Sequence, residues 1–415
     1  MKSDLDRLMQ EDNIDAILIT GPAQHNPTMY YLTGGAHLTH AGLIKPRGQA
    51  PLLFYNPMER DEAAKTGLPT KNLTDYKYKE LLKEAGGDRT LAAALRYQRM
   101  LADAGVTGGR VSLYGKTELN TSFAVFTRLQ KLMPEIELIG EPGGNSVLLQ
   151  AMAAKDEAEI ERIRKMGQIT TEVVGKVAEF LGSHRAPNGT LVKAGGQPLT
   201  IGDVKRRINL WLVERGAENP GGCIFAIGRD AGVPHSVGNP DDVLELGKTI
   251  IFDIFPAEAG GGYYYDFTRT WCLGYAPDGV ESLYDDVRTV YETVMSEFKL
   301  GEPASQYQER TYDLFEAQGH KTTREDRSIQ EGYVHSLGHG LGLHLHEAPF
   351  FRGKDTATDK DRLYPGAVMT VEPGLYYPEK GMGVRLEDTV WVRPDGKMEI
   401  LADYPLDLII PVRTE

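Results

Sequence analysis

Apolar positions along the chain change their period several times, and each change predicts an element. In the first third, short apolar runs stopped by turn residues read as strands. Ala16-Ile17-Leu18-Ile19-Thr20 ends at Gly21-Pro22, and Pro51-Leu52-Leu53-Phe54-Tyr55 ends at Asn56-Pro57. Between Glu80 and Ala104 the spacing is helical. Val111-Ser112-Leu113-Tyr114 is a third strand stopped by Gly115, and Leu129 to Ile139 runs from a helix end into a fourth. Strands alternating with helices predict an α/β layer domain.

Glu141-Pro142-Gly143-Gly144-Asn145-Ser146 is the clearest punctuation in the middle of the chain. Ile160, Ile163, Met166, Thr170, Val173, Val177 and Phe180 then recur at steps of three and four, the mark of a long amphipathic helix. These features place a boundary near residue 150, giving an N-terminal α/β domain over 1–150 and a second domain over 151–415. The second domain mixes helices (Ile201 to Arg215, Gly279 to Phe298, Ser305 to Gln318) with strands concentrated after residue 220.

Two of the predicted hairpins carry acids in apolar surroundings. Thr249-Ile250-Ile251-Phe252-Asp253-Ile254-Phe255 is an apolar strand interrupted by one carboxylate. Burying an unpartnered Asp costs several kcal/mol, so Asp253 needs a cation or strong donors. Glu258-Ala259-Gly260-Gly261-Gly262 reads as the turn and Tyr263 to Trp271 as the return strand. A turn between Ala259 and Gly260 sets Asp253 opposite Asp266, with Cβ atoms about 4.5–5.5 Å apart, close enough to share a metal. The construction recurs near the C-terminus, with Val368 to Glu372 as a strand, Pro378-Glu379-Lys380-Gly381 as the turn and Val384 to Val390 as the return. A turn between Glu379 and Lys380 sets Glu372 opposite Glu387. A solvated strand face would account for Glu387 taken singly, but not for four acids in two facing pairs.

Between the hairpins, His335-Ser336-Leu337-Gly338-His339-Gly340-Leu341-Gly342-Leu343-His344-Leu345-His346-Glu347 holds four of the ten histidines. A single histidine there would be an ordinary core or surface residue. Four among three glycines, which let backbone and metal approach closely, point to ligation. No Glu follows His335 in the HExxH manner, so this is not a zincin helix. Oxygen-rich carboxylates with one or two imidazoles suit a pair of divalent ions such as Mn(II) or Co(II), with Zn(II) less distinctive. Two such ions about 3.5–4 Å apart activate water and clamp the attacked and leaving atoms.

Composition narrows the field further. The 46 Lys+Arg against 59 Asp+Glu give a net charge of −13, which disfavours nucleic acid as a partner. Cys223 and Cys272 stand outside any CxxC pattern, so neither a disulfide framework nor a thiolate site is indicated. The N-terminus, Met1 to Asp6, lacks the apolar core of a signal peptide, and no stretch approaches the ~18 apolar residues of a membrane span. The expectation is a cytoplasmic protein with no membrane partner.

Asp253, Asp266-Phe267-Thr268-Arg269-Thr270, the His335 to Glu347 run, Val371-Glu372-Pro373-Gly374 and Gly383-Val384-Arg385-Leu386-Glu387-Asp388 together resemble the pita-bread metallopeptidases: aminopeptidase P, prolidase and methionine aminopeptidase. The resemblance covers the chain from about residue 150 to its end and implies an α+β pita-bread catalytic domain. Ile14-Asp15-Ala16-Ile17-Leu18-Ile19 and Tyr31-Leu32-Thr33-Gly34 look like the N-terminal domain of the creatinase and prolidase branch, which tilts the choice towards Xaa-Pro enzymes.

The resemblance further implies two divalent ions on Asp253, Asp266, His339, Glu372 and Glu387, with Asp266 and Glu387 bridging. His346 would contact the scissile carbonyl, and His235 would be the upstream active-site histidine. His335 and Arg385 would orient ligands, and Glu372 would also shuttle the proton. The implied substrate is a small peptide with proline at its second position, and the implied assembly is a homodimer. Two departures stand out. The first hairpin is slightly longer than in most relatives and reads Asp253-Ile254-Phe255-Pro256 where the family usually shows Asp-x-Gly. The stretch in which prolidases carry an arginine for the dipeptide carboxylate holds Arg352, Lys354 and Arg362, none in register. Competing readings are a metal-dependent lyase or hydrolase of a small zwitterionic substrate on the same fold, and a non-catalytic binding scaffold.

Overall fold

Ala16–Gly21 is buried at all six positions because strands flank it on both sides. In the computed structural model, which describes residues 4–142 and 146–414, it lies inside a six-stranded mixed sheet. The spatial order is Thr70–Asn72, Leu52–Tyr55, Ala41–Pro46, Ala16–Gly21, Gly109–Gly115, Ile136–Ile139. Ala16–Gly21 runs antiparallel to Ala41–Pro46 and parallel to Gly109–Gly115. Helices Arg89–Asp103 and Leu119–Leu132 contribute Leu95, Leu101, Val125 and Leu129 to the core beneath the sheet.

The helix expected over Glu80 to Ala104 is two helices, Tyr78–Glu84 and Arg89–Asp103. Gly86 and Gly87 have φ of +61° and +89°, which ends the first, and the Asp88 side chain accepts from the Thr90 and Leu91 amides to begin the second. Ala41–Pro46 was not among the expected strands. Gly143, Gly144 and Asn145 of the mid-chain punctuation, and Met1 to Ser3, lie outside the described residues.

The chain divides into two compact units, Met1–Met152 with Gly260–Gly262, and Ala153–Ala259 with Tyr263–Glu415. The second unit opens with the long helix Glu157–Gly182, started by a capping box in which Asp156 and Glu159 satisfy each other's backbone amides. One sheet orders Ile409–Ile410, Phe267–Leu273, Thr249–Ile254 and Cys223–Ile227; another orders Glu347–Phe350, His339–Gly340, Val368–Val371, Asp388–Val392 and Met398–Ile400. Gly374–Tyr377 pairs with Met382–Arg385 in a separate hairpin. Helices Val280–Glu297 and Ala304–Ala317 pack Val287, Val294, Tyr307 and Phe315 against Met369, Val371, Leu386 and Val390.

The two acid-bearing hairpins differ from the simple expectation in informative ways. In the first, Asp253 pairs with Thr268 rather than Asp266, a shift of two residues. The return strand starts only at Phe267, because Ala257–Glu258 leaves to pair with Ala217–Glu218. An even shift keeps a side chain on its face of the sheet, so Asp266 stays on the side of Asp253. In the second, one register runs throughout (Val368↔Trp391, Gly374↔Arg385), and it places Glu372 opposite Glu387. The return is broken into Met382–Arg385 and Asp388–Val392, and at the break Glu387 bridges to Thr268 of the first hairpin.

The glycines of the histidine run serve backbone contact. A Cβ on Gly338 would stand 2.2 Å from the Thr370 carbonyl oxygen, and one on Gly340 would stand 2.1 Å from that of Ala348. Behind the run, Lys155 and Glu347 form an ion pair with both side chains fully buried. Removing one partner of such a pair strands the other's charge. Lys155→Met should therefore lower unfolding stability by about 3–5 kcal/mol, and adding Glu347→Gln should restore a large part of it. Urea unfolding of the single and double variants measures both.

Candidate metal centre

Strand alternation and the two registers bring the acids together on one floor. Asp253, Asp266, His339, Glu372, Arg385 and Glu387 are all buried, and all line one cavity of about 260 Å³. His235, His335 and His346 line it too, with His235 and His346 exposed at its mouth. These nine side chains therefore share one cavity, whereas His344, Arg352, Lys354 and Arg362 lie outside it. Ile224, Val237, Phe255 and Leu345 complete the wall; Phe255 belongs to the altered hairpin tip noted in the sequence, and the other three were not anticipated as cavity residues.

Each carboxylate is held by one oxygen. Arg385 Nη2 donates to Asp253 Oδ2, and the Phe267 amide donates to Asp266 Oδ1 at 3.0 Å. Thr370 Oγ1 donates to Glu372 Oε1 at 3.0 Å, and Thr268 Oγ1 to Glu387 Oε2 at 2.6 Å. Asp253 Oδ1 and Glu387 Oε1 are buried with no hydrogen-bond partner among the described residues. Such atoms cost free energy unless a donor or cation meets them. Thr268 and Thr370, also missed from the sequence, are themselves fixed, accepting from Arg385 Nε at 3.2 Å and from the His339 amide at 3.1 Å.

His339 completes the set. Its Nδ1 lies 3.1 Å from the Gly340 carbonyl, which assigns the proton to Nδ1 and leaves a lone pair on Nε2. That lone pair faces Glu372 Oε1 at 3.3 Å and Asp266 Oδ2 at 3.6 Å. Burial, reinforced by His346, pushes the His339 pKa down to about 3, so the ring is neutral and these contacts are not ion pairs. Acceptors face acceptors. Ligand atoms of Asp266, His339 and Glu387 lie within 4.8 Å of one another, a group able to hold a metal ion.

Electrostatics point the same way. Burial and the charges of Asp253 and Glu372 raise Asp266 well above the carboxylate range, and burial with Asp266 and Glu372 does the same to Glu387. Burial pushes Glu372 up to about 8, against the opposing pull of Arg385. Were all four carboxylates ionised, they would leave three negative charges beyond the one guanidinium in a buried space. Unpartnered inward oxygens, an aimed lone pair and mutual repulsion together fit divalent cations.

Around the floor, Arg385 also donates to Tyr376 Oη at 2.9 Å and to the Pro234 carbonyl at 3.1 Å, one residue before His235. His235 Nε2 stands 3.1 Å from His335 Nε2, and His335 Nδ1 is 3.0 Å from the Ser336 carbonyl. Burial, then the Arg385 charge, pushes His335 down to about 3, keeping it neutral. His335 also lines a second cavity of about 510 Å³ with Arg324, Arg327, Arg352 and Lys354. Arg324 is engaged by Glu309, Asp313 and Glu316, whereas Arg327, Arg352 and Lys354 form no ion pair among the described residues. Arg362 instead donates to the carbonyls of Asp359 and Gly301.

A mixed-sheet N-terminal unit, followed by an α+β unit whose paired hairpins present buried carboxylates and a histidine, defines a pita-bread protein with a divalent-metal centre. Residues 161–394 match the model of metallopeptidase family M24, and residues 2–141 match the creatinase/prolidase N-terminal domain. The chain belongs to metallopeptidase family M24. It is 29% identical over 265 residues to the probable dipeptidase PepE of Mycobacterium tuberculosis, a match covering 64% of this chain and 62% of that protein. It is 24% identical over 401 residues to the Xaa-Pro dipeptidase of Pyrococcus furiosus, covering 95% of this chain and 97% of the relative. The X-Pro aminopeptidase of Thermotoga maritima shares the fold with a TM-score of 0.73 at 22% identity, covering 99% of this chain and all of that one. No helix among the described residues is long and apolar enough to cross a membrane.

The raised carboxylates set a pH dependence for the metal-free protein. Unfolding restores Glu372 from about 8 to its ordinary value of 4.5, so its contribution is present at low pH and is lost as pH rises towards 8. Up to about pH 7.5 the unfolded histidines still shed protons that the depressed folded rings do not carry, which offsets part of this loss. Chelator-treated protein should lose on the order of 1 kcal/mol between pH 6.5 and 8.5. Glu372→Gln should flatten that loss, and added divalent metal should stabilise more at the higher pH. Urea unfolding at the two pH values tests the three statements.

Proposed function

We propose that this protein is a peptidase dependent on two divalent ions that cleaves the bond before proline, in Xaa-Pro dipeptides and in short peptides with proline second. One observation carries the reading: four carboxylates, each anchored by one oxygen, converge with the Nε2 lone pair of His339 on the floor of a cavity with histidines at its mouth. Xaa-Pro relatives matching nearly the whole chain support the choice of proline. Asp253, Asp266, His339, Glu372 and Glu387 would hold the ions. Mn(II) or Co(II) suits this oxygen-rich set better than Zn(II). When bound, the ions would acidify water for attack at neutral pH and polarise the scissile carbonyl.

The chain's own groups supply the rest. Glu372, whose proton affinity is raised by burial, takes the proton from the attacking water and delivers it to the imino nitrogen of the departing proline. One histidine, His346 or His235, donates to the carbonyl oxygen as it gains charge. Arg385 orients Asp253 while holding the Pro234 carbonyl beside His235. The free carboxylate of a short substrate turns past His335 towards Arg327, Arg352 and Lys354. A homodimer located in the cytoplasm, without affinity for nucleic acid, goes with this reading; the net charge of −13 supports the last point.

Purified protein supplied with Mn(II) should release glycine from Gly-Pro and from Gly-Pro-containing tripeptides. Glu372→Gln should cut kcat by about 10²–10⁴ and His346→Ala by about 10²–10³. Gly-Pro amide should show a higher KM than Gly-Pro, and Arg352→Ala should shrink that difference. A chromatographic assay of the peptide panel decides. No turnover of any peptide rejects the reading, and elimination products from a small zwitterion with peptides untouched would replace it.

A further inference from the structure

The wall of the cavity is apolar where its floor is charged. Phe255 stands one residue past the strand Thr249–Ile254 and lines the same face of the cavity as Asp253. Ile224 pairs directly with Asp253 across the neighbouring strand and shares that face. Phe255 is only half-buried and lines the cavity, where it meets Ile224, Val237 and Leu345 in an apolar wall. At 260 Å³ the cavity lies under the usual ligand-site range of about 300–1,000 Å³. An aromatic ring standing in the wall of so small a space takes up room that substrate would otherwise occupy.

What seats that ring is Gly221. A Cβ built on Gly221 would stand 2.7 Å from Phe255 Cε2 and 3.2 Å from Cδ2, so the ring lies flush against the glycine backbone. Any side chain there would push the ring away. The cationic cavity beyond His335 contains none of the four apolar wall residues and shares one lining residue, His335, with the metal-centre cavity. A peptide whose carboxylate end is drawn to the cations thus lays its other end, the residue before the scissile bond, along the wall of Ile224, Val237, Phe255 and Leu345.

We infer that Phe255 sets the size of the residue accepted on the amino side of the cleaved bond, admitting compact apolar side chains and excluding aromatic ones, and that Gly221 fixes where Phe255 stands. This rests on the peptidase reading above. Packing differences of this kind discriminate by about 10–200-fold.

The test measures kcat/KM for Ala-Pro, Leu-Pro and Phe-Pro with the Mn(II)-loaded full chain, and reads ratios between substrates within each variant, which a general loss of activity does not move. Wild-type protein should prefer Ala-Pro to Phe-Pro by about tenfold or more. Phe255→Ala should narrow that ratio by about tenfold, with Phe255→Leu intermediate and available should the alanine variant not fold. Gly221→Ala, at a position whose backbone tolerates a side chain, should displace the ring and shift the Ala-Pro to Leu-Pro ratio from the wild-type value. Ratios that stay at wild-type values in variants of normal metal content overturn this inference alone. Absence of peptide turnover by the wild-type chain overturns the peptidase reading, and this inference with it.

Discussion

Like charges held close together in a buried space are the constraint from which the second unit follows. Desolvation raises the energy of each ionised carboxylate, and the others raise it again, as the displaced Asp266, Glu372 and Glu387 record. Arg385 is the one cation on the cavity wall, and it is committed to Asp253. Protons can relieve the remaining charge, but a proton leaves the aimed lone pair of His339 and the open oxygens of Asp253 and Glu387 only partly served. Divalent cations serve all of them at once. A fold that did not need them would not keep this arrangement, because burying the same acids without a partner is among the costlier things a chain can do.

Holding four repelling groups in register requires that the surrounding bonds leave them little room to swing. Thr270 Oγ1 accepts from the Arg385 amide and donates to the Arg385 carbonyl, both at 2.9 Å, so the two hairpins are stitched at a fixed point. Arg269 does comparable service at the break in the return strand. It donates to the Glu387 carbonyl at 2.8 Å, to Asp388 Oδ1 at 3.0 Å and to the Pro405 and Tyr404 carbonyls at 3.0 and 2.8 Å. Its guanidinium lies 4.1 Å from the centre of the Phe267 ring, next to Asp266. The interruption of the strand at Glu387 is thereby over-determined, and it is the interruption that turns this carboxylate towards Thr268.

Much of this was legible in the sequence because parity is robust. A turn misplaced by one position shifts a hairpin register by two, and Asp266 stays on its face; this happened in the first hairpin, where Asp253 meets Thr268. The second turn was placed correctly and the acids stand opposite. What the pattern did not reveal has physical causes. The early end of the Thr249–Ile254 ladder comes from the excursion of Ala257–Glu258 to Ala217–Glu218, a pairing across some forty residues that no local period encodes. Thr268 and Thr370 look like ordinary strand residues until their hydroxyls are seen to relay a donor to a carboxylate. Ala41–Pro46 contains Lys45, buried against Asp6, so a polar residue hid a strand that is buried throughout. In the N-terminal unit, two glycines in left-handed conformations outweighed a helical period that was otherwise continuous.

The same reasoning separates what is free to vary from what is not. Floor residues are bound to one another: moving Glu387 disturbs Thr268, hence Arg385, hence Asp253 and the Pro234 carbonyl beside His235. Wall side chains carry no hydrogen-bonding group. Ile224, Val237, Phe255 and Leu345 meet the cavity through apolar contact alone, and Phe255 sits where the first strand has already left its ladder. A change there alters shape without touching charge or the hydrogen-bond network. The architecture therefore confines the chemistry to positions that resist substitution and leaves selectivity to positions that tolerate it. For that reason the altered hairpin tip bears on which peptide enters, while the intact floor bears on what is done to it.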